Sequence, residues 1–309
     1  PSRGLGDVYK RQWYTRTTKD LLMSKQLNSI SGFSSLLTNV GQMRNTGVEL
    51  EVRSNNIKTK DFSWTTAFNL SHNKNKILKL ADLPWFVDGR YVRKEGYPFN
   101  TIYLREYAGV DPETGSALYY DNQQDENGNY TKNKVTDPGQ ASPIPLKDIT
   151  PTISGGFMNI FNYKFIDLSF NLSYSFGGYS YDNASYILQD DGYSVISNKS
   201  TEQRRRWQKP GDITDVPRFV YGNKKGGNYN SSRAIHSTDH IRLKSLILGL
   251  NAPKAWLQKL GIGNARIYFS GTNLLTWAAY GQYDPEMSGV VGFYTPPLKT
   301  YAFGLELKF

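Results

Sequence analysis

From Tyr301 to Phe309 the chain alternates large apolar residues with small or charged ones without a break. Tyr301, Phe303, Leu305, Leu307 and Phe309 fall on one side of an extended backbone, and Ala302, Gly304, Glu306 and Lys308 on the other. Successive strand side chains point to opposite faces, so this pattern requires a sheet with two unlike faces. Four other segments repeat it: Val48–Arg53, Phe62–Ser71, Phe165–Phe176 and Ala265–Asn273. In Phe62–Ser71 only Thr66 interrupts the apolar face. Weaker strands are expected over Trp13–Asp20, Thr101–Ala108, Ala117–Asp121, Ile153–Ile160 and Asp239–Leu250. The last breaks phase at Leu246-Ile247-Leu248, which implies a bulge, a rim packed against loops, or a change of phase.

The 22 Tyr, 15 Phe and 6 Trp suit strands, while 28 Gly and 14 Pro interrupt the chain too often for long helices. The expected class is all-β. No apolar run reaches the ~18 residues of a membrane-spanning helix, but a barrel strand needs only about 9 to 11 residues with one apolar face. A mean hydropathy of −0.56 is therefore compatible with a membrane barrel. The absence of Cys excludes disulfides and thiolate metal sites. The net charge of +10 is scattered rather than gathered into a block, so no nucleic-acid partner is expected.

Connections between the ten candidate strands alternate long and short, and the longest, Gly177–Thr238, is far longer than a compact soluble domain ordinarily carries. Outer-membrane barrels pair long extracellular loops with short periplasmic turns. With the long loops outside, the final strand runs inward and Phe309 sits at the periplasmic mouth. A soluble or surface β-sandwich, acting as an adhesin or carbohydrate-binding module, is the alternative that alternation leaves open.

Several stretches add a resemblance: Asn45-Thr46-Gly47-Val48-Glu49-Leu50, Asn69-Leu70-Ser71-His72-Asn73-Lys74-Asn75-Lys76-Ile77, Gly109-Val110-Asp111-Pro112-Glu113-Thr114-Gly115, Gly271-Thr272-Asn273-Leu274-Leu275-Thr276, Tyr283-Asp284-Pro285-Glu286 and the closing strand. In this order they resemble the C-terminal barrel of SusC/RagA-type TonB-linked outer-membrane transporters. The resemblance implies about ten antiparallel strands of a large transmembrane β-barrel whose full complement is about 22. It further implies that the plug and first barrel strands are missing. The expected activity is import of oligosaccharides or peptides across the outer membrane of a Gram-negative bacterium, with siderophore uptake as the alternative among barrels. The implied partners are a SusD-like surface lipoprotein, the TonB complex acting through the missing N-terminal part, the barrel-assembly machinery and outer-membrane lipid. Pro1–Gln12 resembles a translated adaptor sequence. It is expected to be a non-native leader, with residues 13–309 forming the barrel portion. No signal peptide precedes Trp13, so an exported protein would need one upstream.

Tyr301, Phe303, Leu305, Leu307 and Phe309 resemble the terminal signal read by the barrel-assembly machinery. Aromatic rings pack on the apolar faces of sugars and loops collect binding residues, so Trp85, Phe86, Tyr179, Tyr181, Tyr186, Tyr193 and Trp207 are candidate substrate contacts. Trp207 follows Arg204-Arg205-Arg206, a run suited to a charged loop surface. Asp125, Asn127 and Asn129 around Gly128 echo a calcium loop but lack its bidentate Glu, so a solvated turn and no cofactor are expected. His236 and His240 lead into a strand rather than a helix, and with His72 they form no triad or metal site. Not an enzyme is the expectation. Glu49, Glu51, Arg53, Asp167, Arg266, Glu306 and Lys308 are expected to face the lumen.

Overall fold

The computed structural model describes residues 7–27, 29–33, 35–39, 41–80, 84–223 and 230–309. Eight long strands form one antiparallel sheet in chain order. They are β1 (Val8–Thr18), β2 (Gly41–Lys58), β3 (Phe62–Leu80), β4 (Ile153–Tyr163), β5 (Ile166–Phe176), β6 (His240–Asn251), β7 (Asn264–Ala278) and β8 (Thr300–Lys308). All five strongly alternating segments lie in this wall. Of the expected leader, residues 1–6 lie outside the described residues, and Val8–Gln12 pair with Arg53–Glu49 as the start of β1.

Cross-strand register lines up the apolar side chains into rows. One row runs Phe303, Phe269, Leu248, Leu168, Phe161, Trp64 and Ile57 from β8 to β2. Trp64 stacks on Phe161 at 5.6 Å, and Phe269 meets Phe303 at 5.3 Å. Directly opposed pairs of this kind are the unit of sheet stabilisation, roughly 0.2–1 kcal/mol each. Among the described residues no second sheet covers the apolar face: Phe303 is 82% exposed and Ile267 60%. A sandwich would bury that face, so the sandwich alternative fails, and the face suits lipid.

The break of phase in β6 is a bulge. Asn171 of β5 opposes Ser245 and Leu172 opposes Leu243, so Lys244 is skipped. Apolar residues then occupy odd positions before the bulge (Ile241, Leu243) and even positions after it (Leu246, Leu248, Leu250), all on one face. The facing register shift in β7 falls at Asn273, which adopts a φ of 52°.

Thr66, the polar interruption, is paired with other polar groups on the apolar face. Its hydroxyl donates to Asn159 Oδ1 at 2.8 Å and accepts from Asn56 Nδ2 at 2.7 Å, while the Trp64 indole N–H donates to the same Asn159 oxygen at 2.8 Å. A polar side chain facing hydrocarbon is costly without such partners. On the polar face Arg266 holds Asp167 through two hydrogen bonds of 3.1 and 2.6 Å and Asn251 adds a third at 2.8 Å. The pair spans from β5 to β7 over Gly249 of β6, where a Cβ would collide with both side chains. Arg266 also reaches Glu306 at 3.4 Å, so three of the expected lumen residues form one network.

Two of the ten expected strands are not in the wall. Thr101–Leu104 lies in a four-stranded loop sheet with Trp85–Asp88, Tyr91–Lys94 and Ile144–Asp148, while Tyr107–Val110 pairs with Ala117–Tyr120 in a second loop sheet. The count of about ten wall strands becomes eight. These segments are four residues each, too short to cross a bilayer, and Thr101, Ile102 and Leu104 are buried within the loop body. Their removal as a pair leaves the direction of β8 unchanged. The connections still alternate, long at 19–40, 81–152, 177–239 and 279–299, short at 59–61, 164–165 and 252–263. The first long one contains a hairpin of Leu22–Gln26 with Ser35–Asn39. β2 and β3, at 18 and 19 residues, are about 60 Å long and extend well past an apolar band of about 25 Å.

β1 and β8 each pair on one side only. Unpaired strand edges in hydrocarbon cost several kcal/mol per group in order of magnitude. Expressed by itself, the segment is expected to give no heat-modifiable band in lipid vesicles on gel electrophoresis. A stable folded band would show that it closes or pairs its edges unaided.

Candidate functional site

The long connections fold together over the end of the wall at which β6 begins and β7 ends. Three chain segments meet there: Tyr179–Asp182 leading into α1 (Asn183–Leu188), the strand Ile235–Ser237 that precedes β6, and residues 279–291 after β7. Tyr179–Asp182 is the middle strand of a small sheet, antiparallel to Ile235–Ser237 and parallel to Gly289–Val291. Asp182 caps α1 by accepting from the Ser185 N–H at 2.9 Å, and it accepts a second hydrogen bond from the Tyr280 hydroxyl at 3.1 Å. Tyr283 shares a hydrogen bond with Ser180. Burial pushes the hydroxyl pKa of both tyrosines upward.

Arg242 anchors the 279–291 segment to the wall. Its side chain is 2% exposed and donates to Asp284 at 2.6 Å and to Glu286 at 2.9 Å. Lys244, released from the ladder by the bulge, reaches Glu286 at 2.6 Å, and His240 lies 3.8 Å from the same carboxylate. Tyr283-Asp284-Pro285-Glu286 is thus a docking motif with its own basic receptor on β6. Nothing in the spacing of Arg242 singles it out, because its partners are 42 and 44 residues away.

Between α1 and this docked segment lies a cavity of about 610 Å³. Arg242, Thr276 and Ala278 contribute wall residues to it. Arg242 pairs with Thr276 and with Ser173 in the ladder, which places all three on the polar face. The cavity therefore adjoins the polar face of the wall. Its loop walls include Tyr280, Tyr283, Phe293 and Tyr294, none of them among the aromatic residues expected from the sequence.

Those expected aromatic residues are scattered. Tyr181 is 1% exposed, donates to Asn230 at 2.7 Å and lies beneath Arg90 at 4.5 Å, with Tyr186 packed beside it. Trp207 covers Gly115, whose φ of 69° and missing Cβ make room for the ring, and its N–H donates to the Pro112 carbonyl at 2.8 Å. Phe86 packs on Ile77 and Leu80. Tyr179 lies beneath Lys147 at 5.0 Å. Tyr193 is exposed, and Trp85 lines a second cavity of about 460 Å³ with Tyr103 and Tyr130. Asp125 is engaged in its own turn, accepting from the Asn127 and Asn129 N–H groups at 2.9 and 2.8 Å. Among the described residues no group of three or more His, Asp or Glu is placed to hold a metal. The two histidines go separate ways: His240 contacts the Thr238 carbonyl at 2.7 Å, and His236 stacks face to face on Tyr280 at 3.7 Å.

Two tests follow from this geometry. Arg242→Ala leaves Asp284, itself 7% exposed at the side chain, as an uncompensated buried carboxylate, a change that typically costs about 3–5 kcal/mol. Faster hydrogen exchange across 279–291 with the wall strands unaltered is the expected result. His236 is held below its ordinary value of 6.5, because burial disfavours the imidazolium more than nearby Asp182 favours it. The undocked loop takes up the proton more readily, so docking is at full strength above that pH and weakens as pH falls through it. His236→Phe keeps the stack and removes a ring nitrogen that has no partner among the described residues. With exchange normalised to the intrinsic rate at each pH, protection of the 279–291 amides is expected to fall as pH drops from 7.5 to 5 in the parent and to lose that pH-dependent fall in the variant.

No protein-family model matches the chain. It is 33% identical over 328 residues to TonB-dependent receptor P3 of Formosa agariphila, covering 96% of this chain and 32% of that protein. It is 28% identical over 317 residues to TonB-dependent receptor SusC of Bacteroides thetaiotaomicron, covering 96% and 29%. The solved structure of the RagAB peptide transporter superposes with a TM-score of 0.87 at 30% identity, over 98% of this chain and 33% of that one. The RagAB peptide importer in its open-open state gives a TM-score of 0.84 at 29% identity. The chain thus spans about a third of the length of the relatives it matches. In sequence and in fold it is a stretch of transmembrane barrel from a SusC/RagA-type TonB-dependent receptor.

Proposed function

We propose that the chain supplies barrel wall and extracellular loops to an importer in the outer membrane of a Gram-negative bacterium, driven by TonB and carrying oligosaccharides or peptides. The observation that carries this reading is the sheet's two unlike faces, one an uncovered apolar surface in register across seven strands, the other polar, with a cavity adjoining it under the loops. The TonB-dependent receptor SusC, by kinship, and the RagAB peptide transporter, by fold, support the same reading.

The protein's work in this reading is binding and release, with no bond made or broken. A SusD-like surface lipoprotein covers the loop end, and TonB acts through a part of the receptor outside this chain. The barrel-assembly machinery reads Tyr301, Phe303, Leu305, Leu307 and Phe309, four of which project from the apolar face of β8 with Phe309 just beyond it. Trp85 and Tyr193, exposed in the loops, are cargo-contact candidates, as are the remaining aromatic residues wherever loop movement frees them.

Deletion of the gene for the complete receptor tests the proposal by growth on defined glycans, on peptides and under iron limitation. A defect confined to one class of polymer is expected. A defect seen only under iron limitation would replace the reading with siderophore uptake, and recovery of the receptor solely as a soluble cytoplasmic species would overturn it.

A further inference from the structure

The three short connections form one rim at the end of the wall opposite the long loops. Backbone hydrogen bonds join them in a row. The Lys164 N–H donates to the Asp61 carbonyl at 2.8 Å, the Asn251 N–H to the Phe165 carbonyl at 2.8 Å, and the Gly263 N–H to the Lys308 carbonyl at 2.6 Å. The last connection carries a short helix, α2 (Lys254–Leu260). This rim is basic: residues 59–61, 164–165 and 252–263 hold Lys60, Lys164, Lys254 and Lys259 against a single acid, Asp61. Lys60 and Lys164 are exposed, and neither enters an ion pair among the described residues.

The same rim is aromatic on its apolar side. Phe62 and Tyr163 oppose each other in register on the face that carries Trp64 and Phe161, with ring centroids 6.5 Å apart. Tyr163 is half exposed, and the Lys164 ammonium lies 5.4 Å from the centre of its ring. That cation therefore stands on the lipid side of the wall and not on the lumen side. Phe165 beside it is also half exposed. In the neighbouring connection α2 packs against β7 with Leu257 buried, while Trp256 is 69% exposed.

Tyr and Trp rings favour the level of lipid headgroups, and a lysine lays its stem along apolar surface while its ammonium reaches the phosphate layer. Unpaired basic groups at that level attract anionic headgroups. A soluble anion would be drawn by the lysines alone and has no use for rings beside them. We propose that this rim is a binding site for anionic phospholipid, with Lys60 and Lys164 receiving the phosphodiester and Tyr163, Phe165 and Trp256 fixing the depth at which it is met. The inference rests on the barrel reading above, in which the short connections face the periplasmic leaflet and its phospholipid.

The test uses the complete receptor carrying this segment, purified in detergent and incubated with equal amounts of phosphatidylglycerol and phosphatidylethanolamine of matched acyl chains. Native mass spectrometry reads the lipids retained. Phosphatidylglycerol is expected in about fivefold excess. Lys60→Gln and Lys164→Gln are each expected to lower that excess roughly two- to threefold, and the double variant to bring the two lipids near parity. Lys209→Gln, in the exposed loops at the other end, is expected to leave the excess unaltered. Trp256→Ala is expected to weaken retention of both lipids without changing their ratio. All four variants should keep the heat-modifiable band of the parent. Equal retention of the two lipids by the parent, or an excess that survives the double variant, would overturn the proposal. Competition by glycerophosphoglycerol, the headgroup without its chains, as effective as competition by the lipid would assign the rim to a soluble anion and overturn it too. Failure of the barrel reading looks different: the receptor would then be recovered as a soluble cytoplasmic species, whereas a receptor extracted from the outer membrane without headgroup preference removes only the lipid site.

Discussion

Everything in this chain depends on one requirement, that a sheet facing hydrocarbon satisfy its backbone within itself and show lipid nothing but apolar side chains. Strands β2 to β7 meet the first half by antiparallel pairing on both sides, with β1 and β8 open on one side each, and register meets the second, carrying Phe303, Phe269, Leu248, Leu168, Phe161, Trp64 and Ile57 across the sheet as one row. Register is strongly specified under such conditions, since a slip by one residue would turn Asp167, Arg266 and Glu306 into lipid. Two local features look like violations and serve the same end. The bulge at Lys244 shifts the phase of β6 so that Leu243 and Leu246 share a face, and the polar Thr66 is absorbed by Asn56, Asn159 and Trp64.

The bulge also connects wall to loops. A regular β6 would hold Lys244 in the ladder, whereas the skipped residue reaches Glu286 beside the Arg242 contacts. The bulge thereby helps to fasten Tyr283-Asp284-Pro285-Glu286 to the polar face and gives the cavity one of its walls. The ion pairs at that joint add geometry more than stability: burying Arg242 and Asp284 costs desolvation that their mutual attraction does little more than offset, but separating them is expensive. In the proposed importer, such a joint holds the cargo-facing loop in one position, and the His236–Tyr280 stack packs against it.

Much of the wall was legible in the sequence because a period of two is a local property. The five strongly alternating segments, Val48–Arg53, Phe62–Ser71, Phe165–Phe176, Ala265–Asn273 and Tyr301–Phe309, all lie in it, and the phase break in Asp239–Leu250 pointed to a bulge among its alternatives. Thr101–Ala108 and Ala117–Asp121 misled for the same reason: loop strands alternate too, and only their short length and burial on both sides separate them from the wall. The aromatic residues of the loops were not legible as a site. Whether a ring packs inward like Tyr181 and Trp207 or stands free like Phe293 and Tyr294 depends on which distant segment arrives beside it.

The sequence by itself determined that this chain makes long two-faced strands joined by alternating long and short connections, because side-chain alternation and strand length follow from covalent geometry. Its ordered motifs also resembled a family that the fold then matched. Tertiary structure alone decided that Arg242 receives Asp284 and Glu286, that Asp167 and Arg266 meet over Gly249, and that a cavity lies between α1 and the docked loop. Those contacts join residues 42 to 99 positions apart, and such separations leave no periodic trace in the chain.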